Sequence, residues 1–254
     1  MASMVHAQSA ITIEQLNAAV PGRAGAASCR NATSECATNS RALEAINHAL
    51  LKYRISRRSE VVAVLALEAF ESASWLYNIN HFPDPGRPGQ GTRSMLMYNF
   101  IEEYAKYLYA DKARVLLESS GPSPSNATKN AVRELVLGDD DSFGSGFWFL
   151  AHEASSYYNN PNKLRDGQWQ DFKDYMVNGV GASWDDARNV TWNAVNDAVL
   201  ALIEVEPTSA AADALPASAT NRGSSAASGP PRWIGASWSA TACIAAAALL
   251  PSFS

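Results

Sequence analysis

Two carboxylates carry the most specific chemical signal in this chain. Glu68 and Glu71 stand three positions apart in Val61-Val62-Ala63-Val64-Leu65-Ala66-Leu67-Glu68-Ala69-Phe70-Glu71, a stretch otherwise wholly apolar. Helical spacing sets them about 60° apart around one axis, as neighbours on one side. A glutamate in such surroundings is rare unless it is paired or functional, because burial disfavours the charged form and raises the pKa. A raised pKa is what a general acid needs near neutral pH. Trp75, one helical turn beyond Glu71, is expected to supply an apolar wall for it. The structural alternative is a carboxyl satisfied by a hydrogen bond or an arginine from a neighbouring helix.

A polar loop follows at once. Residues 78–93 carry three prolines and three glycines. Asn78, Asn80, His81, Arg87, Gln90, Thr92 and Arg93 offer hydrogen-bonding groups, and Trp75, Tyr77 and Phe82 offer ring faces. Amino-sugar polymers are bound by this mixture of directional polar contacts and aromatic surfaces. A long loop within a compact domain is a functional hint, and Gly86, Gly89 and Gly91 would let backbone approach a ligand closely. They do not form a phosphate-binding loop, since no Lys-Ser/Thr follows and no strand precedes.

The elements that position these groups read as helical throughout, with no alternating stretch. The class is mainly α, built around a buried central helix over 59–77, with Ser59 as N-cap and Glu60 in its first turn. A preceding helix starts at Ser40, with Leu43, Ile46, Leu50 and Leu51 at helical spacing. Further helices are predicted at Met95–Tyr109, Lys129–Leu137, Phe143–Tyr158, Asp166–Val177 and Trp184–Val205. Asp139-Asp140-Asp141 is read as the cap of the helix near Ser142 rather than as a metal site.

At this point a resemblance appears. Phe70-Glu71-Ser72-Ala73-Ser74-Trp75 resembles the Glu-Ser-x-x-aromatic motif of the lysozyme superfamily, closest to goose-type lysozymes and soluble lytic transglycosylases. Gly91-Thr92-Arg93-Ser94-Met95 resembles their Gly-Leu-Met-Gln segment, although Leu96 stands where that family usually has Gln. Asn80–Arg93 also resembles a signature of secreted fungal proteins of unassigned activity. The lysozyme resemblance implies a lysozyme-like helical domain and a glycoside hydrolase or lytic transglycosylase acting on β-1,4-linked peptidoglycan or chitin. It implies Glu71 as catalytic acid and Glu68 as a supporting residue. Trp75, Tyr77, Asn80, His81, Gln90, Thr92, Arg93 and Met95 would bind substrate. Asp84 is the candidate second carboxylate for an inverting mechanism; without one, the sugar's own 6-hydroxyl would attack. The alternatives are a non-catalytic carbohydrate-binding or wall-associated protein on the same scaffold, and a surface interaction protein with an exposed apolar patch. An enzyme requires Glu71 at the floor of an open cleft, within reach of the loop donors.

Bulk properties bound the rest. A net charge of −5 and a pI near 5.4 argue against a nucleic-acid partner. Cys29 and Cys36 suit one small-loop disulfide in an oxidising compartment. Sequons at Asn31, Asn126 and Asn189 fit glycosylation of an exported chain. Ser3-Met4-Val5-His6-Ala7 resembles the end of a signal peptide, so residues 1–28 are expected to be its remnant and a disordered N-terminus. The folded domain is expected over 29–206. An Ala/Ser/Pro-rich disordered spacer follows over 207–232. An apolar tail over 233–254 has the composition of a GPI-attachment signal. The reading is therefore an extracellular or surface-anchored monomer whose partner is a polysaccharide. Its membrane contact would run only through a lipid anchor, and no cofactor or metal is implied.

Overall fold

The computed structural model describes residues 8–121 and 123–205. The expected signal-peptide remnant lies partly outside these residues, and the spacer and apolar tail lie outside them entirely. Among the described residues the chain forms a short strand β1 (Gln8–Ala10), then helices α1 (Ile13–Ala19), α2 (Asn39–Lys52) and α3 (Arg58–Glu71). After these come α4 (Tyr98–Glu118), α5 (Asn126–Glu134), α6 (Asp139–His152), α7 (Trp169–Asp174) and α8 (Asp186–Ala198). A π-helical segment, Tyr175–Val180, continues α7, and strand β2 (Ile203–Val205) closes the described fold. The mainly helical class expected from sequence holds. The Cys29–Cys36 disulfide is formed, with Cα atoms 5.6 Å apart.

The centre is α3. Every residue from Ser59 to Ala69 is buried, so the helix is enclosed on all sides, as its all-round apolar sequence requires. α6 and α8 pack against it, and α2 packs on α6. Arg58 of α3 contacts Asn196 of α8, whereas Glu71 contacts Arg188, so α3 and α8 run antiparallel. The cap differs from expectation. Arg57 is the N-cap and Ser59 lies inside the helix. Glu60 instead accepts from Arg57 (3.2 Å) and from the backbone of Asn159 (2.5 Å).

Three boundaries move. The domain begins well before residue 29, because Thr12 and Gln15 form a capping box for α1 and Leu16 is fully buried. The segment expected to carry the last helix to Val205 ends at Ala198. Its final residues pair antiparallel with the first strand, Gln8 opposite Val205 and Ala10 opposite Ile203. α4 starts at Tyr98 rather than Met95, and it runs on past Tyr109 to Glu118 across a kink at that residue. The acidic run sits in the first turn of α6, where Asp139 pairs with Arg41 at 2.6 Å.

The largest departure lies at the end of α3. The helix stops at Glu71, not at 77. Ser72 Oγ donates to Glu68 O (2.6 Å) and accepts from Trp75 N (2.9 Å). Ala73, Ser74 and Trp75 then take φ of 51°, 58° and 62°, three successive non-glycine residues in the left-handed region. Each costs on the order of 1 kcal/mol, so tertiary contacts must hold them. Arg93 supplies the main hold. Its Nη1 donates to the carbonyls of Trp75 and Tyr77 (both 2.9 Å), and its Nη2 donates to Glu35 O (2.6 Å).

Lysine at 93 keeps a charge but loses the fork that serves three carbonyls. Arg93→Lys is expected to lower unfolding free energy by about 2–4 kcal/mol in urea titrations; a loss below about 0.5 kcal/mol would remove Arg93 from this role. The sequons separate in a similar way. Asn31 and Asn126 are exposed, whereas Asn189 sits within α8 with its Oδ1 buried. Intact-mass analysis of the chain expressed through a secretory pathway is expected to find Asn189 unmodified.

Candidate functional site

The two glutamates at the end of α3 face different neighbours. Glu71 turns towards α8, where Arg188 Nη2 lies 2.6 Å from its Oε1. The Arg188 side chain is 2% exposed, that of Glu71 11%, and the guanidinium stands 4.2 Å from the Phe70 ring centroid. This ion pair is therefore nearly closed to water. Glu68 turns towards α6 and is fully buried. Its Oε1 accepts from Ser94 Oγ (3.1 Å) and from the backbone N–H of Gly146 (3.2 Å). A side chain at 146 would not fit, since a Cβ there would stand 2.8 Å from Glu68 Oε1 and 2.7 Å from Ser94 Oγ. Burial pushes the Glu68 carboxyl well above its usual range, against the lowering effects of Ser94, Gly146 and Arg93. The raised acid is thus Glu68, sealed in the core, and the carboxyl expected to do chemistry is paired with an arginine.

The loop after Trp75 folds on itself. Ile79 bridges Gly91, and Gly91 bridges Leu96. Thr92 N donates to Asn78 O (2.7 Å), and Arg93 N donates to Ser142 O of α6 (3.2 Å). Most residues expected to bind substrate are consumed by this closure. Asn80 Oδ1 accepts from Arg87 N (2.9 Å), and Gln90 Nε2 donates to Met95 O (2.9 Å). Thr92 Oγ1 lies 2.8 Å from Ser145 Oγ. Asn80, Gln90, Thr92, Arg93 and Met95 are all buried. Trp75 is fully buried as well. Its ring packs edge-on against Phe143 (5.3 Å) and its Nε1 donates to Asn39 Oδ1 (3.0 Å), which leaves no face for a sugar. The glycines approach their own chain rather than a ligand: a Cβ on Gly86 would stand 2.0 Å from Asn80 O.

What remains at the surface is the loop tip. His81 Nε2 lies 2.7 Å from Glu35 Oε1, and the other oxygen of Glu35 accepts from the backbones of Asn78 (2.9 Å) and Ile79 (2.8 Å). The Tyr77 ring lies 5.1 Å from that of His81. Phe82 is 51% exposed, and Asp84 is exposed between two prolines. The structure thus brings Tyr77, His81 and Glu35 into one patch, with the exposed Phe82 next to His81 in the chain, and leaves Glu71 to Arg188.

Sequence reasoning missed Glu35, Arg188, Ser145 and Gly146. Arg188 had a readable signal. It shares the stripe of Trp184, Trp192 and Val195, which points to burial, and a buried guanidinium needs acceptors, among which a carboxylate is the best matched. Glu35 had none, being one acidic residue beside a cysteine.

No family pattern matches this chain, and no solved structure matches it. A segment of 93 residues, 36% of the chain, is 41% identical to part of a bifunctional dioxygenase-epoxy alcohol synthase of Fusarium oxysporum. The chain spans 7% of that protein's length.

A buried acid leaves a thermodynamic trace. Glu68 has a raised folded-state pKa, so its favourable contribution is full below the ordinary carboxyl pKa and is lost as pH rises through the raised value. Wild-type melting temperature is expected to fall as pH rises above the ordinary carboxyl range. Glu68→Gln, which keeps the shape and cannot ionise, is expected to flatten that fall; parallel slopes would remove Glu68 as its source.

Proposed function

We propose that this chain is a surface or wall-associated module that binds β-1,4-linked amino-sugar polymers through its loop tip without cleaving them. One observation carries the reading: Glu71 is held by Arg188, while the exposed His81, paired with Glu35 and lying against the half-buried Tyr77, precedes the exposed Phe82 at the loop tip. General-acid catalysis needs a proton donor within reach of the glycosidic oxygen, and neither Glu68 nor Glu71 offers one in this arrangement. Binding needs only ring faces and a few fixed polar groups. Tyr77 and Phe82 supply the faces, His81 and Glu35 a fixed polar pair, and Asp84 an exposed acceptor for sugar hydroxyls. The disulfide and the exposed sequons at Asn31 and Asn126 support export. The stretch shared with the Fusarium enzyme is too small a part of that protein to bring its activity here.

The test is a pull-down of the purified full chain on insoluble chitin and on Gram-positive cell walls, with isothermal titration of soluble oligomers. Binding without release of reducing ends is expected. His81→Ala combined with Phe82→Ala is expected to weaken it about tenfold, since stacking contacts are worth on the order of 1–2 kcal/mol. Glu71→Gln is expected to bind normally. Cleavage by the wild type that is lost in Glu71→Gln would restore the glycosidase reading and overturn this one.

A further inference from the structure

The sequon Asn31-Ala32-Thr33 lies inside the loop that the Cys29–Cys36 disulfide closes, and residues 30–34 are all exposed. That loop packs beside the segment leading to the loop tip. Thr33 Oγ1 donates to the carbonyl of Leu76 (3.2 Å), the residue directly before Tyr77. Glu35, two positions on, accepts from Asn78 N and Ile79 N and pairs with His81. At the loop's far end Ala37 N donates to Trp75 O (3.0 Å), and Arg93 Nη2 holds Glu35 O. Cys29 and Cys36 keep their Cα atoms 5.6 Å apart, so both ends of the loop stay on this face.

Asn31 stands two residues before Thr33, at most about 7 Å along the backbone. A glycan on its side chain therefore starts within reach of Tyr77 and His81. Its tether is a loop that the disulfide and the contacts of Glu35 fix in place. The chemistry matches as well. N-linked glycans begin with two N-acetylglucosamine units joined β-1,4, the sugar and the linkage of chitin.

We propose that the Asn31 glycan is a resident ligand of the loop tip, its two core N-acetylglucosamine rings resting against Tyr77 and His81. A polymer must displace it before binding. This inference rests on the sugar-binding reading and on export of the chain, and it adds an internal competitor. The tether sets the strength of that competition. A short tether gives an effective concentration of about 1 mM. A tip that binds the free sugar pair with a Kd of about 100 μM is then about nine-tenths occupied. Competition of that size raises the apparent Kd for a polymer about tenfold.

The experiment uses the full chain expressed through a yeast secretory pathway, with occupancy of Asn31 read by peptide mass spectrometry. Isothermal titration with the β-1,4-linked N-acetylglucosamine hexamer is expected to show Asn31→Gln binding about tenfold more tightly than glycosylated wild type. Wild type trimmed by an endoglycosidase to one N-acetylglucosamine per site is expected to recover most of that gain. The trimmed chain keeps its own sequence, so this arm is free of any folding effect of the substitution. Asn126→Gln, which removes the sequon that opens α5, is expected to bind as wild type. The imidazole signal of His81, assigned by its loss in His81→Ala, is expected to differ between wild type and Asn31→Gln before any ligand is added. Free N-acetylglucosamine dimer is expected to move the Asn31→Gln signal towards the wild-type position. An unmodified Asn31, equal affinities, or a His81 signal indifferent to the glycan each overturns the inference, while hexamer binding keeps the loop-tip reading. Absence of binding by both Asn31→Gln and the trimmed chain overturns both.

Discussion

A buried guanidinium ordinarily costs several kcal/mol unless its donors find acceptors. At Arg93 both terminal nitrogens do, while Nε has none among the described residues. Arg93 sits fully buried between the end of α3, the first turn of α6 and the segment around Cys36, where it donates to the carbonyls of Trp75, Tyr77 and Glu35. The Phe143 ring centroid lies 5.0 Å from its guanidinium carbon. Burial lowers its pKa to about 10, against the opposing pull of Asp139, Glu68 and Glu35, so it stays protonated at neutral pH. The three carbonyls belong to backbone outside any helix or strand: Trp75 and Tyr77 at the left-handed turn that ends α3, and Glu35 in the segment before α2. Without Arg93 the carbonyls of Tyr77 and Glu35 would be unpaired, at about 1–3 kcal/mol each, whereas Trp75 O would keep only the backbone N–H of Ala37 at 3.0 Å.

The rest of the region follows from that contact. To bring Arg93 under the turn, the loop must double back and place Thr92 and Ser94 against α6. Ser94 then reaches Glu68, and Gly146 is required because Glu68 Oε1 approaches the α6 backbone directly. Glu68 is thus tied to the same junction as Arg93, on the α6 side of α3. Glu71, three residues on, projects to α8 and meets Arg188. Adjacency on one helix put the carboxyls side by side in projection, but tertiary contacts gave them separate partners.

How much of this was legible depends on which forces the sequence displays. The burial of α3 was, because the unbroken apolar run from Val61 to Leu67 leaves no wet face. Its end was not. Ser72-Ala73-Ser74-Trp75 contains neither glycine nor proline, and its left-handed path is imposed by Arg93 from 18 residues further along. α1 went unread because only Leu16 and Ala19 mark its buried side, although the Thr12–Gln15 capping box was present in the sequence. The loop was the deepest ambiguity. Asn80, Gln90, Thr92 and Arg93 look identical in sequence whether they serve a ligand or unpaired backbone, and only the path of the turn reveals the demand for donors.

That same demand shapes what the surface can do. A loop whose stem is buried and hydrogen-bonded to α6 holds its tip with little freedom left to lose. Tyr77 and His81 lie ring against ring, and Glu35 fixes His81 with one oxygen while its other oxygen accepts two backbone N–H groups. Association at such a tip spends little free energy on ordering side chains or backbone, which is where weak surface contacts usually lose most of their gain. The polar residues that resembled a substrate cleft therefore act one layer below it. They stiffen the platform on which Tyr77 and His81 are presented, and on the sugar-binding proposal a shallow patch would rely on that stiffness more than on the number of its contacts.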